Sequence, residues 1–345
     1  MTTTDIAESR TAAEVIRAAR RRIEPVLRDA VDTLGPTMRR IAGYHLGWWD
    51  AEGCTVEEPG GKAIRPTLAL VCAEAVGEAG PAAVRAAAAV ELVHNFSLLH
   101  DDVIDRDVTR RHRPTAWTVF GEGEAILAGD ALSTLAMDVV AADGHPRAVE
   151  GVRLLNATIQ ELIDGQSVDM AFERRGDVAV EECVAMAASK TGALLGGACA
   201  LGALFGGGDR DQVALLRTFG SELGLAFQFV DDLLGIWGDP VVTGKPAHSD
   251  LYNRKKSLPV VAALNSATPH GRRLARLYYR DGELSPADRA VAADLIVAAG
   301  GRLWSGREAD ALLERAVERL RNGGLNRRST AELEALARLV TCRDH

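Results

Sequence analysis

The sequence is poor in aromatic residues, which make up 5% of its 345 positions, although apolar residues reach 47%. An apolar content carried by Ala and Leu rather than by rings and β-branched side chains favours packed helices over a β-fold. Basic charge is not in excess either. The formal net charge of −8 argues against nucleic acid as the main partner. No unbroken apolar run reaches the length of a membrane span, and no signal peptide opens the chain, so no membrane span is expected. The cysteines Cys54, Cys72, Cys183, Cys199 and Cys342 are odd in number, scattered, and without a C-x-x-C pair. They read as reduced thiols of a cytoplasmic protein, not as disulfides or zinc ligands. Linkers and low-complexity segments are missing between residues 60 and 270. Length alone would suggest about two domains, but the expectation is one all-α domain over residues 1–345, with the polar residues 1–8 disordered.

What the chain does have is "ELVHNFSLLHDDVIDRDVTRR", residues 91 to 111. Asp101, Asp102 and Asp105 follow an apolar run with helical spacing, and positions four apart share a helix face. Like charges at that spacing repel by a few tenths of a kcal/mol unless a cation sits between them. Mg2+ suits the place, because it takes one or two carboxylates and completes its octahedron with phosphate oxygens. Arg110 and Arg111 follow, and guanidinium groups match phosphate geometry. A solvated acidic helix end is the ordinary fate of such a charge run. The recurrence of the pattern as "FQFVDDLLGIWGDP", with Asp231 and Asp232, weighs against that reading. Two such motifs can face each other across a cavity and clamp one diphosphate through Mg2+.

Further elements join these two. "PGGKAIRP", residues 59 to 66, brings Lys62 and Arg65 to the start of a helix, a ready anion site. Glu91 and His94 share a spacing used in di-iron bundles, but no second Glu-x-x-His pair exists, and His94 reads better as a hydrogen-bonding wall. Asp169 lies in "GQSVD". Lys190 and Thr191 are polar points in an apolar, small-residue helix expected over 179–207. Gln228 precedes the second acidic motif, and Lys245, Lys255 and Lys256 follow it in a loop. Pro25 falls inside an amphipathic pattern running from Arg10 to Leu34, where a helix would kink or restart. Trp48-Trp49-Asp50 reads as loop without an assigned role.

Six of these stretches, in order over roughly residues 55 to 265, resemble the trans-type polyprenyl diphosphate synthases. They are "GGKAIRP", "HDDVIDRDVTRR", "GQSVD", "SKTG", "FQFVDD" and "GKPAHSDLYNRKKSLP". The resemblance implies an all-α bundle around a deep central cavity, commonly homodimeric. It implies that Asp101, Asp105 and Asp231 bind Mg2+ carrying an allylic diphosphate, with Asp169 in the metal network and Asp102 and Asp232 in support. Arg110, Lys190, Thr191, Gln228, Lys245 and Lys255 would contact the allylic substrate, and Lys62, Arg65, His94 and Arg111 would hold isopentenyl diphosphate.

One departure stands out. The family commonly has a third Asp four residues after Asp231, where this chain has Gly235. Asp239 lies about 12 Å further along a continuous helix, and Gly238 with Pro240 should end the helix there, so Asp239 is not expected to replace it. Product length is assigned to Phe96, with Ser97 and Val93 beside it. A growing chain would run down the helix from Asp101, and a ring about 7.5 Å below is large enough to act as a floor. An aromatic there resembles archaeal-type geranylgeranyl diphosphate synthases, with farnesyl diphosphate as the next product. A class I terpene cyclase would have no use for Lys62, Arg65 and His94. A non-catalytic partner subunit would be expected to lose first-motif carboxylates, and all three are present.

Overall fold

The structure, a computed structural model, describes residues 10–56, 61–239 and 248–341. Residues 1–8, Lys245 and Cys342 lie outside the described residues. The fold is all-α. Among the described residues, pairing of extended chain is confined to one short hairpin and an isolated bridge between Trp49 and Thr55.

The chain forms two compact units, each assembled from separated stretches of sequence. The first comprises residues 1–159, 197–217 and 320–336. Its opening helix α1 (Ala12–Asp32) starts in a Thr11–Glu14 capping box and buries Val15, Ala19, Ile23 and Leu27 along one stripe. Pro25 lies inside α1 without breaking it. The ring is exposed, so the carbonyl one turn back that loses its N–H partner faces water. Helices α2 (Pro36–Leu46) and α3 (Ile64–Val76) lead to α4 (Pro81–Ile104). Helix α4 buries Ala83, Ala86, Ala89, Leu92 and Val93, among others, with Glu91, Asn95 and Ser97 as buried polar groups from its middle onward. A helix buried on most of its faces belongs in a core, and α1, α3 and α6 (Glu122–Ala141), which follows the short α5 (Ala116–Phe120), all pack on it.

The second unit comprises residues 160–196, 218–319 and 337–345. One of its cores joins Phe172, Cys183, Met186, Phe229, Leu258 and Leu312. Another joins Ile236, Leu251, Val260, Tyr278 and Ile296. Its site-bearing pieces come from α7 (Ala148–Glu173), α8 (Val180–Ala187), α9 (Ala193–Phe205) and α10 (Arg210–Trp237). The single helix expected over 179–207 is instead interrupted by a π-helical turn over Ala188–Gly192. Three helical segments, Pro81–Ile104, Val180–Phe205 and Arg210–Trp237, are long and apolar enough by length and composition to cross a membrane. Charged residues such as Arg85, Glu181 and Arg217 interrupt these segments, so none stands out in the sequence as an unbroken apolar run. The first two bury 72% of their apolar window inside the protein, the third 44%.

Candidate active site

In the first unit the site is built where α4 runs out. The backbone N–H of Asp105 caps the helix by donating to the Asp101 carbonyl at 2.8 Å. Asp105 is exposed, Asp101 partly so, and Asp102 is turned into the protein at 1% exposure. Arg110 Nε donates to Asp102 Oδ1 at 2.7 Å, while Asp102 Oδ2 is buried without a hydrogen-bond partner. Burial pushes the Asp102 carboxyl up to about 6, against the opposing pull of Arg110.

Above this end, Arg65 and His94 meet at 3.1 Å between Nη1 and Nε2. Burial first, then Arg65, Arg111 and Arg110, push the His94 imidazole well below its ordinary range, so it is neutral. Glu91 is buried nearby and its carboxyl is raised by that burial, with Arg65, Arg111 and Arg20 opposing. Gly61 lies directly against the Arg111 guanidinium, since a Cβ there would stand 2.7 Å from Nη2. Lys62 is exposed next to it. Phe96, Ser97 and Val93 are all buried on α4, and Phe96 packs edge-on against His100 with ring centroids 4.9 Å apart. Ser97 Oγ is occupied locally, donating to the His94 carbonyl.

Arg110 and Arg111 are presented by a hairpin of β1 (Thr109–Arg110) and β2 (Arg113–Pro114). Its two turn residues, Arg111 and His112, have φ of 52° and 64°, the left-handed geometry of a tight hairpin turn usually made by Asn-Gly. For an L-residue that conformation costs roughly 1–2 kcal/mol, so the surroundings must hold it. Tyr44 Oη donates to the Pro114 carbonyl at 2.8 Å. The Arg113 guanidinium stacks 4.5 Å over the Tyr44 ring and donates to the Trp49 carbonyl at 3.1 Å. Thr115 Oγ1 and Trp117 Nε1 both donate to the Asp107 carbonyl. Trp48-Trp49-Asp50 thereby gains a role that the sequence did not show. Asp50 closes its own turn through the Glu52 and Cys54 N–H groups, Trp49 Nε1 is anchored on the Arg40 carbonyl, and the segment braces Arg113.

In the second unit the π-turn is central. Glycines open the way to it: a Cβ at Gly165 would stand 2.8 Å from the Lys190 Cα, and one at Gly224 2.8 Å from the Gly192 Cα. With backbones that close, Lys190 Nζ reaches Asp169 Oδ2 at 2.6 Å and Thr191 Oγ1 donates to Gln228 Oε1 at 2.6 Å. Gln228 Nε2 passes the chain on to Asp232 Oδ1 at 2.7 Å, and the Leu258 N–H donates to Oδ2 at 2.8 Å. Burial raises the Asp232 carboxyl to about 6, with Lys255, 3.9 Å away, opposing. Burial works against the Lys255 ammonium, but Asp232, Asp250, Asp169 and Asp231 together hold it protonated. Asp231 is exposed one residue before Asp232. Helix α10 ends at Trp237, so Asp239 lies past its last turn, as expected.

Two buried or half-buried groups escaped sequence reasoning. His45 lies near Arg110, Arg111 and Arg113, with its Nε2 sealed from solvent. Asp250, on α11 (Ser249–Tyr252), approaches the backbone of α10 at Gly235. His45 sits in no spacing pattern, whereas Asp250 lies within the stretch "GKPAHSDLYNRKKSLP", where no role was assigned to it.

Residues 53–295 match the family model described as polyprenyl synthetase. The chain belongs to that family. This polyprenyl synthetase is 45% identical over 332 residues to the (2E,6E)-farnesyl diphosphate synthase of Mycobacterium tuberculosis, covering 95% of this chain and 92% of the relative. It is 44% identical over 335 residues to a geranylgeranyl diphosphate synthase of the same organism, covering 96% and 93%. A crystal structure of a polyprenyl synthetase from Streptomyces coelicolor A3(2) superposes with a TM-score of 0.91 at 46% identity, over 95% of this chain and 99% of that one. The polyprenyl synthetase is accordingly a prenyltransferase with the isoprenoid-synthase fold.

Proposed function

We propose that the protein condenses isopentenyl diphosphate with an allylic diphosphate, in a Mg2+-dependent reaction, to give a short all-trans prenyl diphosphate. The observation that carries this is the cationic cluster of the first unit. Arg65 and a neutral His94 sit together, Arg111 is turned onto Gly61, and Arg110 is fixed by Asp102. A class I cyclase, which takes no isopentenyl diphosphate, has no task for such a cluster, and a partner subunit has no need of the intact carboxylates.

The residues fit Mg2+. The donors are hard carboxylate oxygens, and Asp102 Oδ2 is a buried oxygen without a hydrogen-bond partner. Asp101 and Asp105 in the first unit, and Asp231 and Asp169 in the second, are the carboxylates that would serve as Mg2+ ligands. When bound, Mg2+ neutralises the diphosphate and makes it a better leaving group. Arg110, Lys190, Thr191, Gln228, Lys245 and Lys255 orient the allylic diphosphate, and fixed ammonium and guanidinium groups stabilise the charge that develops on it. Lys62, Arg65, His94 and Arg111 place the isopentenyl double bond against the allylic carbon. The proton lost after attack goes to the departing diphosphate, since among the described residues no side chain offers itself as a dedicated base.

Geranylgeranyl diphosphate is the product we favour, with Phe96 as the floor and Val93 below it. The farnesyl reading has its own support in the 45% identical relative of that name. We further infer a homodimer, in keeping with the exposed Ile126 and Leu127 on α6, and a cytoplasmic location, in keeping with the free thiols of Cys54, Cys72, Cys183 and Cys199.

Incubation with isopentenyl diphosphate, Mg2+ and each allylic primer, followed by chromatography of the dephosphorylated products, tests the reading. Linear C20 or C15 alcohols are expected. Cyclic hydrocarbons would establish the cyclase, and inertness with every primer the partner subunit. Asp101→Asn and Asp105→Asn should each lower turnover by orders of magnitude with an unchanged helical circular dichroism spectrum.

A further inference from the structure

Between Asp250 and Asp281 the sequence holds no acidic residue but seven Lys and Arg, in a chain whose formal net charge is −8. Four of the seven are engaged. Lys255 lies beside Asp232, Lys256 over the Tyr279 ring, Arg254 donates to the Arg280 carbonyl, and Arg280 pairs with Asp288. The other three, Arg272, Arg273 and Arg276, stand on α13 (Pro269–Tyr278), the helix after α12 (Leu258–Leu264). At 3.6 residues per turn they fall within an arc of about 100°, and all three are exposed. The opposite side of α13, with Gly271, Leu274 and Tyr278, is buried. Among the described residues none of the three has a carboxylate in ion-pair contact, and Arg272 donates only to the Ala267 carbonyl, at 2.7 Å. Tyr279, directly after the helix, is 42% exposed. The face is firmly mounted. A Cβ at Gly271 would stand 2.5 Å from the Ala263 carbonyl oxygen, so α13 sits hard against α12, and Tyr278 Oη donates to the Lys255 carbonyl at 2.8 Å.

We propose that the cationic face of α13 docks the protein on an anionic phospholipid bilayer. Within the fold the three arginines contribute nothing favourable, because like charges four apart on a helix, Arg272 and Arg276, repel. They are matched instead by a dense external array of phosphates. The choice of a bilayer rests on the proposed function, whose product is an apolar chain on a diphosphate and partitions into lipid. The exposed Tyr279 agrees with it, since tyrosine favours the membrane–water interface. The apolar side of α13 is committed to the core, so the contact is with headgroups and the protein does not insert. Attraction to a charged surface fades within a Debye length, about 10 Å at 0.1 M salt, and the acids on other faces of the protein therefore weigh little once α13 is in contact. Each arginine near such a surface raises partition roughly fivefold.

The test is co-sedimentation of the full-length protein with vesicles of phosphatidylcholine alone and of an equimolar mixture with phosphatidylglycerol, at low and at high salt. The wild type should sediment with the mixed vesicles at low salt and be released at high salt. Combined Arg272→Gln, Arg273→Gln and Arg276→Gln should lower the partition coefficient roughly 100-fold, with an unchanged circular dichroism spectrum, whereas Lys at the same three positions should retain binding. Arg17→Gln, Arg21→Gln and Arg153→Gln, an equal charge change at exposed sites of the first unit, should leave it nearly unaltered. Absence of sedimentation, equal sedimentation with phosphatidylcholine alone, or equal loss in the two Gln variants overturns the proposal. So does binding to soluble polyglutamate without binding to vesicles, which would make α13 a seat for an acidic protein. Product formation by the wild type, assayed in parallel, separates the two readings. An inert wild type defeats the proposed function, whereas an active wild type that ignores the mixed vesicles defeats only this inference.

Discussion

His45 illustrates how far a single residue can be pushed by its neighbours. Burial first, then Arg111, Arg110 and Arg113, drive its imidazole down to about 3. An unfolded chain takes up a proton at this residue near pH 6.5, whereas the folded protein does not until about pH 3. The contribution of His45 to stability is thus complete above pH 6.5 and drains away as pH falls through that interval. Urea denaturation across pH 7.5 to 4.5 should show a smaller acid loss for His45→Gln than for the wild type. Equal slopes would mean the ring is protonated in the fold. His45 could not be read beforehand, because it owes its character to arginines distant in sequence. Asp102, by contrast, stood in a motif, and only its inward turn onto Arg110 needed coordinates.

Elements divide in the same way between what spacing reveals and what it hides. Helices α4 and α10 end almost where their apolar periodicity stops, with Pro81 opening one and Gly238 closing the other. The π-turn, Ala188–Gly192, is hidden because the small and apolar residues of α8 and α9 on either side of it read as one continuous helix, whose phase one extra residue does not visibly disturb. The hairpin was equally hidden, since Arg-His is the wrong dipeptide for its turn and only the Tyr44, Trp49 and Arg113 brace makes it tolerable. Removing one strut should loosen Arg111 rather than the fold. Tyr44→Phe deletes one hydrogen bond worth about 1 kcal/mol and is expected to raise KM for isopentenyl diphosphate roughly fivefold with kcat nearly retained. A fall in kcat at constant KM would contradict a role through substrate binding. On α4, Phe96→Ala should lengthen the products by opening space towards Val93 and Ala89, although losing a buried ring costs about 3–5 kcal/mol. Chromatography of dephosphorylated products at 25 °C reads the outcome, and an unchanged distribution from an active variant places the floor elsewhere.

At the scale of the whole molecule, the all-α class followed from composition, and the order of the motifs pointed to the family. The proposed homodimer should give, by light scattering after size exclusion, twice the chain mass of 36.7 kDa. A monomer at working concentration would refute it. The division of sequence between the two units bears on how the protein comes into being. The first unit includes residues 320–336 as well as the amino-terminal stretch, and the tie is specific: Arg10 Nε donates to Glu332 Oε1 at 2.9 Å, and the Glu332 carboxylate is buried. A ribosome adding about 5–20 residues per second must therefore translate nearly the entire message before that pair can form. Neither unit can be cut out as one uninterrupted piece of gene, and a stop codon before residue 320 would leave Arg10 with Glu74 as its remaining acid.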